Sequence, residues 1–345
     1  MQPRQRILVW RMIPLAGFLL TALVVGIHLG AVELSLAQIW QGLGSSSDGS
    51  HVETILWQIR LPRVILAACV GGGLAVAGAA FQGVFRNPLA DPFVIGASSG
   101  AALGATLALL CIAGSATVIT ATWQIPWLIL SAFAGAILVV CAVFVIAALS
   151  NIGRNAPLLT LILAGMALSS FTGALVSLIM FLNHEMLTTI FSWLLGSFSG
   201  RHWNEIMMAG PVILGSGIVL WLMSRPLDLL SFGDETALTL GLSIGKYRML
   251  ILIAATLCTA ACVAVSGVIG FLGLIAPHMT RILLGPRHSL LIPGSCLLGA
   301  TLMVVADTLA RTIIAPAEIP VGIVTALMGC PFFLFLLISR GQQTK

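Results

Sequence analysis

From Pro92 to Gly153 the chain carries no Asp, Glu, Lys, Arg or His. About 20 apolar residues cross the hydrocarbon core of a bilayer, so this stretch alone is long enough for two crossings. The rest of the chain agrees. Hydrophobic residues make up 59% and charged residues 8%, against about 25% charged in a soluble domain, and the mean hydropathy is +1.10. The class expected is an all-α integral membrane protein. The net charge of +5 comes from scattered basic residues that suit membrane orientation and surrounding lipid, not nucleic acid.

Ten spans are predicted, near 11–31, 64–85, 93–113, 125–149, 158–182, 205–224, 249–268, 271–284, 290–312 and 320–339. The eighth is too short for a full crossing and contains Pro277, His278 and Arg281, so a half-depth helix buried among others is expected. With the N-terminus inside, twelve of the sixteen Lys and Arg fall inside, and only Arg60, Arg63, Arg201 and Arg311 fall outside. That pattern puts both termini in the cytoplasm. Arg4, Arg6 and Arg11 precede a first helix that is read as retained, because no clear small-x-small cleavage site follows it. The seven cysteines lie in apolar segments, and Cys258 and Cys262 share a helical face; they read as packing residues, with no metal site or disulfide framework.

Small residues recur four apart: Ala67, Gly71, Ala75, Ala79 and Gly83 in span two, and Gly96, Gly100, Gly104 and Ala108 in span three. Such ridges let helix backbones approach in lipid, where no hydrophobic force drives helices together. Span five carries Gly165, Ser169, Gly173 and Ser177, with Ser170 and Thr172 beside them. Its face either packs inside the bundle or lines a pathway or subunit interface.

Three connections are long. Residues 32–63, expected outside, hold Trp40 and Trp57 as interfacial anchors. Thr188–Gly200 reads as a short helix lying at the outer mouth. The third, 225–248, is expected inside: Pro226 stops span six, Asp234 caps a short helix with Glu235 in its first turn, Gly241 ends it, and Ser243 starts a second short turn. Leu238, Leu240 and Leu242 make this knob a docking surface for a partner. No Walker GxxxxGK[ST], HExxH or GxSxG motif occurs, so no catalytic residue is assigned. Asp307 and Glu318 fall near the outer ends of their spans, leaving almost no mid-membrane carboxylate of the kind ion-coupled carriers need. A transporter without a visible coupling ion, but with a docking knob, draws its energy from another subunit. The alternative is a self-contained carrier or channel.

At this point a resemblance enters. Phe85–Ala105 (FRNPLADPFVIGASSGAALGA) closely resembles the signature after the second helix of FecCD-type permeases, the membrane subunits of type II ABC importers for ferric siderophores, haem and vitamin B12. Arg60–Arg63, Leu161–Leu168, Ser231–Leu242, Ser266–Arg281 and Asp307–Pro331 match in order, so the likeness covers nearly the whole chain. It implies one permease domain over 1–345, with ten helices and the type II importer fold. It implies a second permease copy, with a homodimer expected, and two ATP-binding subunits that hold ATP and Mg, so that this chain needs no cofactor. It also implies an extracytoplasmic substrate-binding protein and a bacterial or archaeal plasma membrane, the inner one in a Gram-negative cell. By the same likeness Asn87, Pro88 and Leu89 form an inner gate, with Leu158, Leu159 and Thr160 a second gate segment. Ser231, Gly233, Asp234, Glu235 and Gly241 belong to the ATPase-coupling helix, and Arg60, Arg63 and Arg311 meet carboxylates of the binding protein. Gly165, Ser169, Thr172, Gly173 and Ser177 are the pathway-lining candidates. Ferric siderophore leads as substrate, with haem and vitamin B12 close; His184 and Met186, near the outer mouth, read as interfacial filler before haem ligands.

Overall fold

A computed structural model describes residues 10–30, 39, 51–114, 121–150 and 157–341. Arg4, Arg6, Trp40 and Arg154 lie outside them. All regular structure among the described residues is helical. Ten helices correspond to the ten predicted spans: α1 Met12–His28, α2 Leu61–Phe85, α3 Ala97–Gly114, α4 Ala121–Leu149, α5 Pro157–Leu182, α7 Trp203–Leu222, α10 Ile244–Ser266, α11 Leu272–Leu284, α12 His288–Thr312 and α13 Val321–Gly341. Three short helices join them: α6 Leu187–Leu194, α8 Ser224–Ser231 and α9 Asp234–Thr239. Seven of the helical segments are long and apolar enough to cross a membrane. The 13-residue α11 spans about 20 Å, too short to cross, and its buried residues include Pro277 and His278.

Helix α2 is the axis of the bundle. It is apolar all round, and a helix of that kind belongs in a core. Helices α7, α10, α11 and α12 pack around it, and nearly all its side chains are buried. The small ridge explains the closeness. A Cβ on Gly71 would overlap the Gly299 carbonyl of α12, and one on Gly78 would overlap the Gly273 backbone of α11. The second ridge acts likewise, with Gly100 and Gly104 of α3 against Gly135 and Ser131 of α4. Cys258 and Cys262 are buried with their thiols directed at the carbonyls of Gly73 (3.4 Å) and Val70 (3.7 Å), as packing residues would be.

The segment before α2 departs from expectation. Residues 51–63 are helical: a turn at His51–Thr54 and a π-helical stretch at Ile55–Arg60 run into α2 without a break. The cause is local. Pro62 has no N–H for the Gln58 carbonyl, and the Leu61 N–H goes to Leu56 instead of Trp57. Two carbonyls are thereby left over, and side chains flanking α7 use them. Trp203 Nε1 donates to Trp57 O at 2.8 Å, and His202 Nδ1 donates to Gln58 O at 3.0 Å.

The knob also differs in detail. Helix α7 ends at Leu222, ahead of Pro226, which lies inside α8. Gly233 (φ +114°), not Asp234, is the N-cap of α9. Gly241 ends α9 as expected, at φ +82°, with the Leu242 N–H returning to the Ala237 carbonyl. Ser243 precedes the long helix α10 rather than a short turn.

Candidate functional site

Two polar clusters sit at opposite ends of the bundle. At one end is the break after α2. Arg86 adopts a left-handed conformation (φ 51°, ψ 32°), which costs a non-glycine residue about 1 kcal/mol. Asn87 then opens a turn with Pro88 and Leu89: its Oδ1 accepts from Leu89 N at 3.0 Å and its carbonyl from Ala90 N at 3.0 Å. Asn at the first position and Pro at the second are the residues such a turn favours. Asp91 caps the next 3-10 turn, Pro92–Ile95, by accepting from Phe93 N at 2.9 Å. Burial pushes the Asp91 carboxyl up to about 6, the Phe93 N–H opposing it. The 3-10 turn packs against α5, whose Gly165 faces the backbone of Val94 and Ile95. The 3-10 turn that follows the first expected gate segment, 87–89, thus meets the helix that carries the second, 158–160. In the second, Leu159 is exposed, Leu158 half-buried and Thr160 buried.

The knob lies at this same end. Asp234, at the start of α9, accepts from Arg86 NH2 at 3.0 Å and from Arg248 NH2 of α10 at 2.8 and 3.0 Å. Asp228 of α8 accepts from His288 N at 2.9 Å, and its Oδ1 is 2.6 Å from His288 Nδ1 at the start of α12. The knob is therefore tied to three bundle helices, while Phe232, Leu238 and Leu240 stand 73%, 60% and 61% exposed. Ser231 and Glu235 are on its surface, and Gly233 and Gly241 supply its positive-φ corners. Arg86 and Arg248 were missed from the sequence because they read only as orientation signals, and Asp228 and His288 because nothing local to either pairs them.

The opposite end holds Arg60, Arg63 and Arg311, the residues expected to meet carboxylates of the binding protein, and within this single chain its own acceptors engage them. All three are buried, at 4%, 7% and 5% exposure. Arg63 donates through Nε and NH2 to Asp307 (2.9–3.1 Å) and through NH1 to Glu318 (2.8 Å). Arg311 lies 3.6 Å from Asp307 and donates to the Gly26 carbonyl. Arg60 donates to the Ile27 and His28 carbonyls, where the end of α1 leaves acceptors without helical partners. In this arrangement they staple α1, α2 and α12 together and offer no open guanidinium to a second protein. Burial raises the Glu318 carboxyl, but the Arg63 hydrogen bond and charge more than offset it, and the group is held below its ordinary range. The signal available in the sequence was that Asp307 and Glu318 fall at the same end as these arginines.

The candidates on α5 divide by helical phase. Gly165, Ser169 and Thr172 face inward: Ser99 Oγ is 3.2 Å from Ser169 Oγ, and Thr172 bonds its own helix. Within the single chain they pack against neighbouring elements. Gly173 and Ser177 fall on the other stripe, exposed beside Ser170, with nothing within 4 Å of a Cβ on Gly173. Helix α6 lies where a short helix was expected, near the end of α5, its Ile190 buried and Phe191 exposed. Among the described residues no cluster of His, Cys, Asp or Glu could hold a metal.

A polytopic helical bundle with a break after its central helix, an exposed face on α5 and a helical knob at one end suits a membrane transport subunit. The profile of the FecCD transport family matches residues 18–339, and the chain belongs to that family. It is 39% identical over 338 residues to the hemin transport system permease protein HmuU of Yersinia pestis, covering 95% of this chain and 96% of that one. It is 41% identical over 288 residues to the cobalamin import system permease protein BtuC of Halobacterium salinarum, covering 84% and 74%. A solved structure described as an inward-facing conformation of a transporter assigned to the metal-chelate ABC type superposes with a TM-score of 0.81. It shares 34% identity and covers 97% of this chain and 99% of that one.

Proposed function

We propose that this chain is the membrane subunit of a binding-protein-dependent ABC importer that carries an iron chelate into the cytoplasm, a ferric siderophore foremost and haem or vitamin B12 next. Two copies of the chain pair across the open face of α5, where Ser170, Gly173 and Ser177 line the pathway between them. ATP is hydrolysed with Mg on two partner subunits docked beneath the knob. A soluble protein delivers the chelate from outside, and the whole lies in a bacterial or archaeal plasma membrane. One observation carries the reading. The knob presents exposed Phe232, Leu238 and Leu240 at the same end as the gate turn, and is tied to that turn through Asp234. Apolar side chains held clear of the bundle on a capped helix suit a protein partner.

In this proposal the gate segments 87–89 and 158–160 close the path on the cytoplasmic side, and α9 receives the movement of the ATPases. Comparable identity to a haemin and to a cobalamin permease leaves the cargo to the delivering protein. The test is to capture the importer from iron-starved cells on this subunit and record the visible spectrum of the binding protein retained. A broad ferric charge-transfer band is expected. A porphyrin or corrinoid spectrum would replace siderophore by haem or vitamin B12. Recovery of neither an ATPase nor a binding protein would favour a self-contained carrier.

A further inference from the structure

Asp234 joins parts of the chain that are far apart in sequence. Arg86, one of its partners, immediately precedes the turn Asn87–Leu89. Arg248, the other, lines a cavity of about 210 Å³ together with Phe144, Leu161 and Met249, one residue past the second segment, Leu158–Thr160. A single carboxylate at the start of α9 therefore holds one guanidinium next to the gate turn and a second that shares a cavity with Leu161, the residue after Thr160. Arg86 takes the left-handed place in an ordinary helix end, its N–H returning to the Gly83 carbonyl and that of Asn87 to the Gln82 carbonyl. Its left-handed backbone is one a glycine would adopt more readily, and the guanidinium it carries packs 3.6 Å from the Cβ position of Gly233.

We propose that Arg86 and Arg248 are positioning residues that couple α9 to the two gate segments through Asp234, so that one displacement of α9 reaches both segments together. The proposal rests on the importer reading above. Asp234 and Arg86 are partly exposed, with 41% and 38% of their side-chain surfaces open, and exposed pairs add little stability. What the cluster supplies is geometry: one carboxylate accepts from a single nitrogen of each guanidinium and holds both at short range. A movement of α9 then pulls Arg86 against the turn that begins one residue later, and pulls Arg248 against the wall of the Leu161 cavity.

The test uses the full complex of this chain with its co-purified ATPases in lipid nanodiscs. Amide hydrogen exchange is followed by mass spectrometry without nucleotide and with ATPγS. In the wild-type complex ATPγS is expected to change exchange in three peptides: the knob (225–243), the gate turn (86–96) and the start of α5 (157–165). Arg86→Gly suits the left-handed backbone and removes only the guanidinium. It should keep the knob response and lose at least two-thirds of the gate-turn response. Arg86→Lys, which keeps the charge, should restore most of it. Arg248→Gln should diminish the 157–165 response in the same way. A full gate-turn response in Arg86→Gly would overturn the proposal, because a purely structural Arg86 would leave nucleotide sensitivity intact. If the wild-type knob itself ignores ATPγS, or no ATPase is retained, the importer reading fails and the coupling falls with it.

Discussion

Removing Asp307 would take a carboxylate from two guanidinium groups buried in the bundle. Its side chain is 1% exposed, that of Arg63 9% and that of Arg311 5%. Arg63 would retain Glu318, which is itself 34% exposed, and would lose its three contacts to Asp307. Deleting one partner of a buried pair costs about 3–5 kcal/mol, because the charge left behind has been taken out of water. Replacing both partners with apolar residues removes that stranded charge. We therefore expect Asp307→Leu and Arg63→Met each to lose about 3–5 kcal/mol, and the double variant to lose less than the two single losses summed, by about 2–3 kcal/mol. Reversible unfolding by SDS in mixed micelles reads this directly as a shift in midpoint at constant slope. Single losses below about 1 kcal/mol, or strict additivity in the double variant, would refute the reasoning. They would mean that Arg63 points outward, and the docking role expected from the sequence would return.

Gly78→Val should destabilise by at least about 1–3 kcal/mol in the same assay, because its Cβ meets the Gly273 backbone, which cannot move as a side chain can; unchanged stability would show that α2 and α11 do not touch there. The Asp91 carboxyl is raised from 3.8 to about 6, so the folded chain binds the proton more tightly than the unfolded one. Its contribution is greatest below pH 4 and is lost as pH rises through 6, by about 1–3 kcal/mol. Asp91→Asn, which keeps an acceptor for Phe93 N, should flatten that slope, and an unaltered slope between pH 4 and 6 would count against the burial. Gly173→Trp, on the open face of α5, should leave the single subunit's stability within about 0.5 kcal/mol yet separate the pair on native mass spectrometry. An intact pair would place the interface elsewhere.

The local pattern determined much of this protein. Ten helices are legible because each span has to hide its backbone from hydrocarbon, and apolar runs near 20 residues leave few other solutions. The break after α2 was legible because Pro88 and Pro92 cannot continue a helix and Asn87 favours the turn. The knob was legible because Asp234 and Glu235 suit the start of a helix and Gly241, at φ +82°, its end. What the sequence could not decide was direction. A charged residue near a span's end reads alike whether it faces water or a neighbouring helix, so Arg60, Arg63 and Arg311 were expected to meet a binding protein and Asp307 was left without a partner. The carboxylate that Arg63 holds lies 244 positions away, and only the packing of α2 against α12 brings the two together. The α5 ridge poses the same problem at finer scale. Small residues mark close approach, but the approach can be to the chain's own 3-10 turn or to a second subunit. About 100° of helical phase separates Thr172, buried, from Gly173, open, and tertiary packing alone sets that phase.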